Sequence, residues 1–202
     1  MASIYGIKPA FQNLLRPLCR WLAGRGVTAN QVTIAALVLS LITGGGLAFF
    51  YTQPWVFLLI PVVVFVRMAL SAIDGMLARE HGMKSALGAI LNELCDVIAD
   101  VALYLPFALL VGVWSWLVVL VVLMAIITEM TGVIAIQIGA SRRYDGPMGK
   151  SDRAFVFGAL ALALGAGVSV GQWLNGVFAV VLVLTVWTVV NRARHALAEL
   201  VS

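Results

Sequence analysis

Five carboxylates, Asp74, Glu93, Asp96, Asp100 and Glu129, sit in or beside stretches otherwise nearly free of charge. An uncompensated charge at the bilayer centre costs at least about 2.5–3.5 kcal/mol on insertion scales, so such groups mark chemistry or pairing. Four of them fall within residues 74–100, on either side of the polar turn Glu80-His81-Gly82-Met83-Lys84. A hairpin centred near residue 83 sets Asp74 level with Asn92, and Ser71 level with Asp96. Helical steps of about 100° put Ser71 and Asp74 on one face, and Asn92 and Asp96 on one face of the next helix. Carboxylates that face each other in apolar surroundings repel or take up protons unless a cation lies between them. Oxygen donors of this kind suit Mg²⁺ or Mn²⁺, which in turn suit a phosphate-bearing substrate. Gly75, Ala78 and Gly88 are small enough for a backbone or a ligand to approach closely.

The elements that must carry these groups are membrane spans. Of 202 residues, 62% are apolar and 11% charged, against about 45–50% and about 25% in soluble domains. Residues 26–66, 101–128 and 154–191 contain no Asp, Glu, Lys or Arg. As helix, the first and last would each run roughly 60 Å, about twice the hydrocarbon core, so each must fold back once. Turn residues place the reversals at Tyr51-Thr52-Gln53-Pro54-Trp55 and at Val170-Gly171-Gln172-Trp173-Leu174-Asn175-Gly176, and the middle run turns near Gly112-Val113-Trp114-Ser115-Trp116. The expectation is an all-α membrane protein with six transmembrane helices, over 29–51, 55–79, 85–110, 114–138, 154–171 and 173–193.

Apart from Arg67, the cations fall before span 1, between spans 2 and 3, between spans 4 and 5, and after span 6. The positive-inside rule then makes both termini cytoplasmic. The formal net charge of +4 is a topology signal with a secondary attraction to anionic membrane lipids, and gives no reason to expect nucleic acid. Near the N-terminus Ile4, Ile7, Phe11, Leu14, Leu15, Leu18 and Leu22 recur at helical steps opposite Lys8, Gln12, Asn13, Arg16 and Arg20. That pattern predicts an amphipathic interfacial helix within residues 1–28, ahead of a membrane domain over 29–202. Cys19 and Cys95 form no C-x-x-C pair, and His81 and His195 have no nucleophile or metal-ligand partner at a suggestive spacing. A disulfide, a zinc site and a hydrolytic triad are therefore not expected.

The loop Ser141 to Arg153 supplies Arg142, Arg143, Lys150 and Arg153, whose guanidinium forks and ammonium suit a phosphate. Ser151 or Asp152 can cap the following helix, which would leave Lys150 and Arg153 facing the site. Arg67 is expected to neutralise Asp100 or Glu129, since pairing is the least costly way to bury it.

The segment from Ser71 to Asp100 resembles the signature of the CDP-alcohol phosphotransferases, D-x-x-D-G-x-x-A-R followed after eight or so residues by G-x-x-x-D-x-x-x-D. Asp74-Gly75, Ala78-Arg79, Gly88 and Asp96 match in register, and Thr28-Ala29-Asn30-Gln31-Val32-Thr33 resembles the T-P-N-x-x-T entry to span 1. The first and third acids of the family pattern are Ser71 and Asn92 here. The chain is similar in this to a bacterial inner-membrane branch with neutral residues at the same two places.

The resemblance implies a transferase of phospholipid biosynthesis that moves a phosphatidyl or related phosphoalcohol group from a CDP-linked lipid to a small alcohol and releases CMP. It implies Mg²⁺ or Mn²⁺ held by Asp74 and Asp96 with help from Ser71 and Asn92, and Asp96 as the general base. It further implies a nucleotide site of Asn30, Asp74, Gly75, Ala78, Arg79 and Gly88. Lys150 and Arg153, with Arg142 and Arg143, would bind the acceptor or headgroup, a basic set that favours a phosphorylated acceptor. A homodimer is implied as well. The altered acids leave a second reading open, a non-catalytic relative that binds nucleotide-lipid or a partner protein.

Overall fold

A computed structural model describes residues 4–201, with side chains from Ala10 onward. The expected positions of Ile4, Ile7 and Lys8 on the two faces of the first helix lie outside the described side chains. Described residues fold into helices joined by short turns, with no strand among them. In order they are α1 (Ile4–Gly24), α2 (Ala29–Phe49), α3 (Pro54–Phe57), α4 (Leu59–Glu80) and α5 (Ala86–Tyr104), then a 3₁₀ turn (Leu105–Leu109), α6 (Ser115–Gln137), α7 (Lys150–Gly165) and α8 (Gln172–Glu199).

Four segments are long and apolar enough to cross a membrane: α2, the run Pro54–Glu80 that contains α3 and α4, α6 and α8. Lipid-facing side chains such as Ile42 and Phe65 remain exposed on them. Local chemistry sets the ends. Thr28 opens α2 with a capping box: its hydroxyl accepts from the Gln31 N–H at 3.3 Å while its own N–H donates to Gln31 Oε1 at 2.9 Å. The third span was expected to run to residue 110, but α5 ends at Tyr104 and a 3₁₀ turn follows, because Pro106 lacks the N–H an α-helix needs. α7 starts at Lys150, earlier than expected, where Asp152 accepts from the Gly149 N–H at 2.9 Å. α8 continues to Glu199, beyond the expected residue 193, through Ala193–Glu199, which contains no glycine or proline to stop it.

The core is a band of apolar side chains centred on aromatic rings. Tyr104 stacks on Phe157 with ring centres 4.0 Å apart, and Phe107 stands edge-on to Phe57 and Phe157. A second cluster seats α1: Cys19, with Leu15 and Leu22 beside it, packs on Val32, Ile73, Met76 and Leu77. Leu14, Leu18 and Trp21 on the rest of α1 stay exposed. α1 runs unbroken through Pro17.

At one end of the bundle the turns after α2, the 3₁₀ turn and α7 come together, enclosing a pocket bordered by Thr52, Val111 and Ser169. Asn175 ties this end: its side chain accepts from the Trp114 N–H at 2.8 Å and donates to the Gly112 carbonyl at 3.1 Å. The opposite end carries most of the charged groups.

The hairpin of α4 and α5 differs from the expected direct pairing. α2 packs along both helices, while α4 and α5 touch each other little. The turn between them has Gly82 at φ 69° and Ser85 capping α5 through the Gly88 N–H at 2.9 Å. The two helices are thereby splayed, and the space between them opens as a cavity.

Candidate functional site

That cavity has a volume of about 820 Å³ and is bordered by the starts of α2 and α5 and the last turns of α4. Asn30 reaches it from α2, Asp74, Gly75, Ala78 and Arg79 from α4, and Gly88 and Asn92 from α5. Every nucleotide-binding residue expected from sequence therefore borders one space. Gly88 packs closely against Asn30, since a Cβ on it would stand 2.8 Å from Asn30 Oδ1 and the Asn30 side chain would have to shift. Asp74 is buried and accepts a 2.8 Å hydrogen bond from the Thr33 hydroxyl, which also donates to the Ala29 carbonyl at 3.1 Å. Thr33 was not singled out as a site residue, although it is the final threonine of the T-x-N-x-x-T spacing. Lys84 and Glu93 also border the cavity, and Val133 and Ile136 of α6 close one wall.

Two expected metal ligands lie off this lining. Ser71 is half-buried one turn deeper on α4, and Asp96 is half-buried one turn beyond Asn92 on α5. Asp96 is paired with Lys150 and has Arg67 at 3.9 Å. Among the described residues no group of three or more His, Cys, Asp or Glu side chains is placed to hold a metal ion. The two acids replaced by Ser71 and Asn92 account for that in chemical terms.

The basic residues are engaged inside the protein. Arg67 donates to Asp100 at 3.1 Å, as expected. Arg153 was expected to face the site, but it is fully buried, donating to Glu129 at 2.9 Å and to the Met148 carbonyl at 3.1 Å, with Asp100 at 3.5 Å. Its position one turn into α7 points it into the bundle, where the acids of α5 and α6 neutralise it. Arg142 contacts Glu93 at 2.5 Å and Glu129 at 3.5 Å, with its guanidinium 4.2 Å from the centre of the Tyr144 ring. Arg143 makes a two-pronged bond to Asp145 at 2.7 and 3.0 Å, and this hydrogen bonding holds the Asp145 carboxyl below the usual carboxylate range. Arg192, which sequence reasoning left as a topology marker, is buried, 3.4 Å from Glu129, and donates to the Thr128 carbonyl at 2.6 Å.

The helical bundle, with segments long and apolar enough to cross a membrane, thus opens between splayed α4 and α5 a cavity bordered by the D-G-x-x-A-R segment and the start of α2. The CDP-alcohol phosphatidyltransferase family profile matches residues 26–190, and the chain belongs to that family. It is 50% identical over 195 residues to the inner membrane protein YnbA of Escherichia coli K12, covering 96% of each chain. The phosphatidylinositol phosphate synthase PgsA1 of Mycobacterium tuberculosis with CDP-DAG bound shares the fold, with a TM-score of 0.74 at 22% identity, covering 89% of this chain and 92% of that one. The same synthase in complex with manganese and citrate gives a TM-score of 0.70 at 24% identity, covering 89% and 87%.

Proposed function

We propose that the protein transfers a phosphatidyl or related phosphoalcohol group from a CDP-linked lipid, CDP-diacylglycerol first among candidates, to a small alcohol, releasing CMP. The observation that carries this reading is the convergence of Asn30, Asp74, Gly75, Arg79, Gly88 and Asn92, from three helices, on one cavity. Its volume of about 820 Å³ suits a nucleotide, and its place between apolar helices lets acyl chains remain in the membrane. In the transfer, the acceptor oxygen bonds to the lipid-bearing phosphorus and the pyrophosphate P–O bond breaks. The electron pair leaves with CMP, and the acceptor proton passes to Asp96.

The donors match Mg²⁺ or Mn²⁺ in type, hard oxygens throughout, and are fewer than a two-ion site needs. Asp74, with Asn92, would hold one ion alongside the substrate pyrophosphate. When bound, the ion stabilises charge on that pyrophosphate. Arg79, at the cavity wall, faces the nucleotide phosphates, and Lys150 and Arg142 stand beside the acceptor.

α5 with its 3₁₀ extension and α7 complete six spans, α7 reaching about 24 Å at 1.5 Å per residue. α1 lies along the interface with Leu14, Leu18 and Trp21 in lipid. The charged end, with both termini, faces the cytoplasm of a bacterial inner membrane, and the enzyme works as a homodimer.

The test is purified protein in liposomes with CDP-diacylglycerol, Mg²⁺ or Mn²⁺ and a panel of alcohols, followed by CMP. Acceptor-dependent release that disappears in Asp96→Asn supports the transferase. CDP-diacylglycerol binding with no release by any acceptor supports instead a nucleotide-lipid-binding relative.

A further inference from the structure

We infer that the acceptor of this enzyme carries no phosphomonoester, and that Glu129, buried among three arginines, is the residue that excludes one. The inference rests on the transferase reading above and names the substrate class of that same site.

The basic residues expected to meet the acceptor, Lys150, Arg142 and Arg153, are already paired with acids. From Lys150 the ion pairs run without a gap through Asp96, Arg67, Asp100, Arg153, Glu129 and Arg142 to Glu93, which borders the cavity. Arg192 joins at Glu129. Five cations thus face four carboxylates, a net charge of +1 within the network, while Arg79 and Lys84 border the cavity outside it and are left to the donor pyrophosphate. A phosphomonoester adds a charge of about −1.5 to −2 at pH 7. Bringing it in would require either breaking these pairs, of which Arg67, Asp100, Glu129, Arg153 and Arg192 are buried, or leaving its own charge uncompensated beside them, and both are unfavourable.

Glu129 already fills the point at which three guanidinium groups of the network converge. Arg142, Arg153 and Arg192 all lie within 3.5 Å of its carboxylate, and the glutamate itself is buried. An internal anion is already bound where three guanidinium groups converge. The donors left over are Nε and Nη1 of Arg142 and Nε of Arg153, each buried with no hydrogen-bond partner among the described residues. Single donors of this kind are satisfied by neutral oxygens, so the chemistry fits an alcohol without a phosphate. The expectation from sequence, that a basic loop favours a phosphorylated acceptor, overlooked acids on α5 and α6 that neutralise it.

The experiment uses purified protein in liposomes with CDP-diacylglycerol present throughout. CMP release is compared for glycerol, inositol and serine and for the monophosphate of each, in wild type and Glu129→Gln. The expected result is wild-type turnover at least about tenfold faster with a non-phosphorylated alcohol, and a Glu129→Gln ratio shifted toward the monophosphates. Equal or faster wild-type turnover with a monophosphate overturns the inference, as does a ratio unchanged by Glu129→Gln. If no alcohol of either kind gives CMP, the transferase reading fails and inorganic phosphate decides the charge argument by thermal shift. Stabilisation of Glu129→Gln and not of wild type upholds it, and equal stabilisation of both overturns it. Should Glu129→Gln fail to fold, Glu93→Gln at the half-exposed end of the chain takes its place in both assays, with the same outcomes.

Discussion

Gly44 is the tightest point of the α2–α5 interface, and adding one methyl group there tests whether that interface holds the bundle together. A Cβ at Gly44 would stand 2.0 Å from the Ala102 carbonyl oxygen and 2.6 Å from its carbon, both backbone atoms. Carbon–oxygen contacts settle near about 3.3 Å, so Gly44→Ala forces the helices apart by about 1.3 Å. Overpacking of this kind costs about 1–3 kcal/mol, and a backbone clash that no rotamer can relieve belongs at the upper end. Alanine returns up to about 1 kcal/mol of helix propensity, leaving a net loss of about 2 kcal/mol. Gly45 supplies the control, because a Cβ there meets nothing within 4 Å and Gly45→Ala keeps the propensity gain without the clash. At about 2–4 °C per kcal/mol for a chain of this size, Gly44→Ala melts roughly 4–8 °C below wild type in detergent, while Gly45→Ala melts at or above it. Equal melting of the two variants would refute the close α2–α5 packing.

Thr33→Val removes the hydroxyl bonded to Asp74 and is expected to cost about 1.5–3 kcal/mol, the range for hydrogen bonds to charged groups. Thr33→Ser retains most of it, as thermal unfolding with and without CDP-diacylglycerol will measure. Arg153→Met removes the nearest of the three arginines around Glu129 and one of the two beside Asp100, so a loss of about 1.5–3 kcal/mol is expected, whereas Arg16→Ala breaks a pair that is 40% exposed on both sides and costs under about 1 kcal/mol. Chemical unfolding of the two variants side by side checks the contrast. Asp145, held below its ordinary value by Arg143, stabilises the fold above the unfolded aspartate pKa of about 3.9, and the contribution fades as pH falls through the depressed folded value. The melting-temperature gap between wild type and Asp145→Asn should therefore be present at neutral pH and close on acidification.

The parts of this molecule legible in sequence are those set by local chemistry. Thr28 and Gln31 announce the start of α2, charge-free runs announce the spans, and the D-G-x-x-A-R spacing announces a cavity that Asp74, Gly75, Ala78 and Arg79 do border. The pairing of Arg67 with Asp100 was also foreseeable, because a buried guanidinium needs an acid and few were within reach. What sequence hid depends on which helices pack together. Consecutive helices were expected to pair, yet α2 packs against both α4 and α5 and the two splay around the cavity. Arg153 looked like an exposed loop cation until the early start of α7 turned it toward Glu129. Arg192 likewise looked like a charge after the last span, and the continuation of α8 makes it part of the buried network.

The central claim is that the cavity transfers a phosphatidyl group and does not merely hold a nucleotide-lipid. Its most direct test is mass spectrometry of both products after incubating the protein in liposomes with CDP-diacylglycerol bearing isotope-labelled acyl chains and an active alcohol. The expected product is a lipid carrying the labelled chains and the acceptor joined by one phosphate, formed in equal amount with CMP and absent with Asp96→Asn. CMP accompanied only by labelled phosphatidic acid, or a product formed equally by Asp96→Asn, would contradict it.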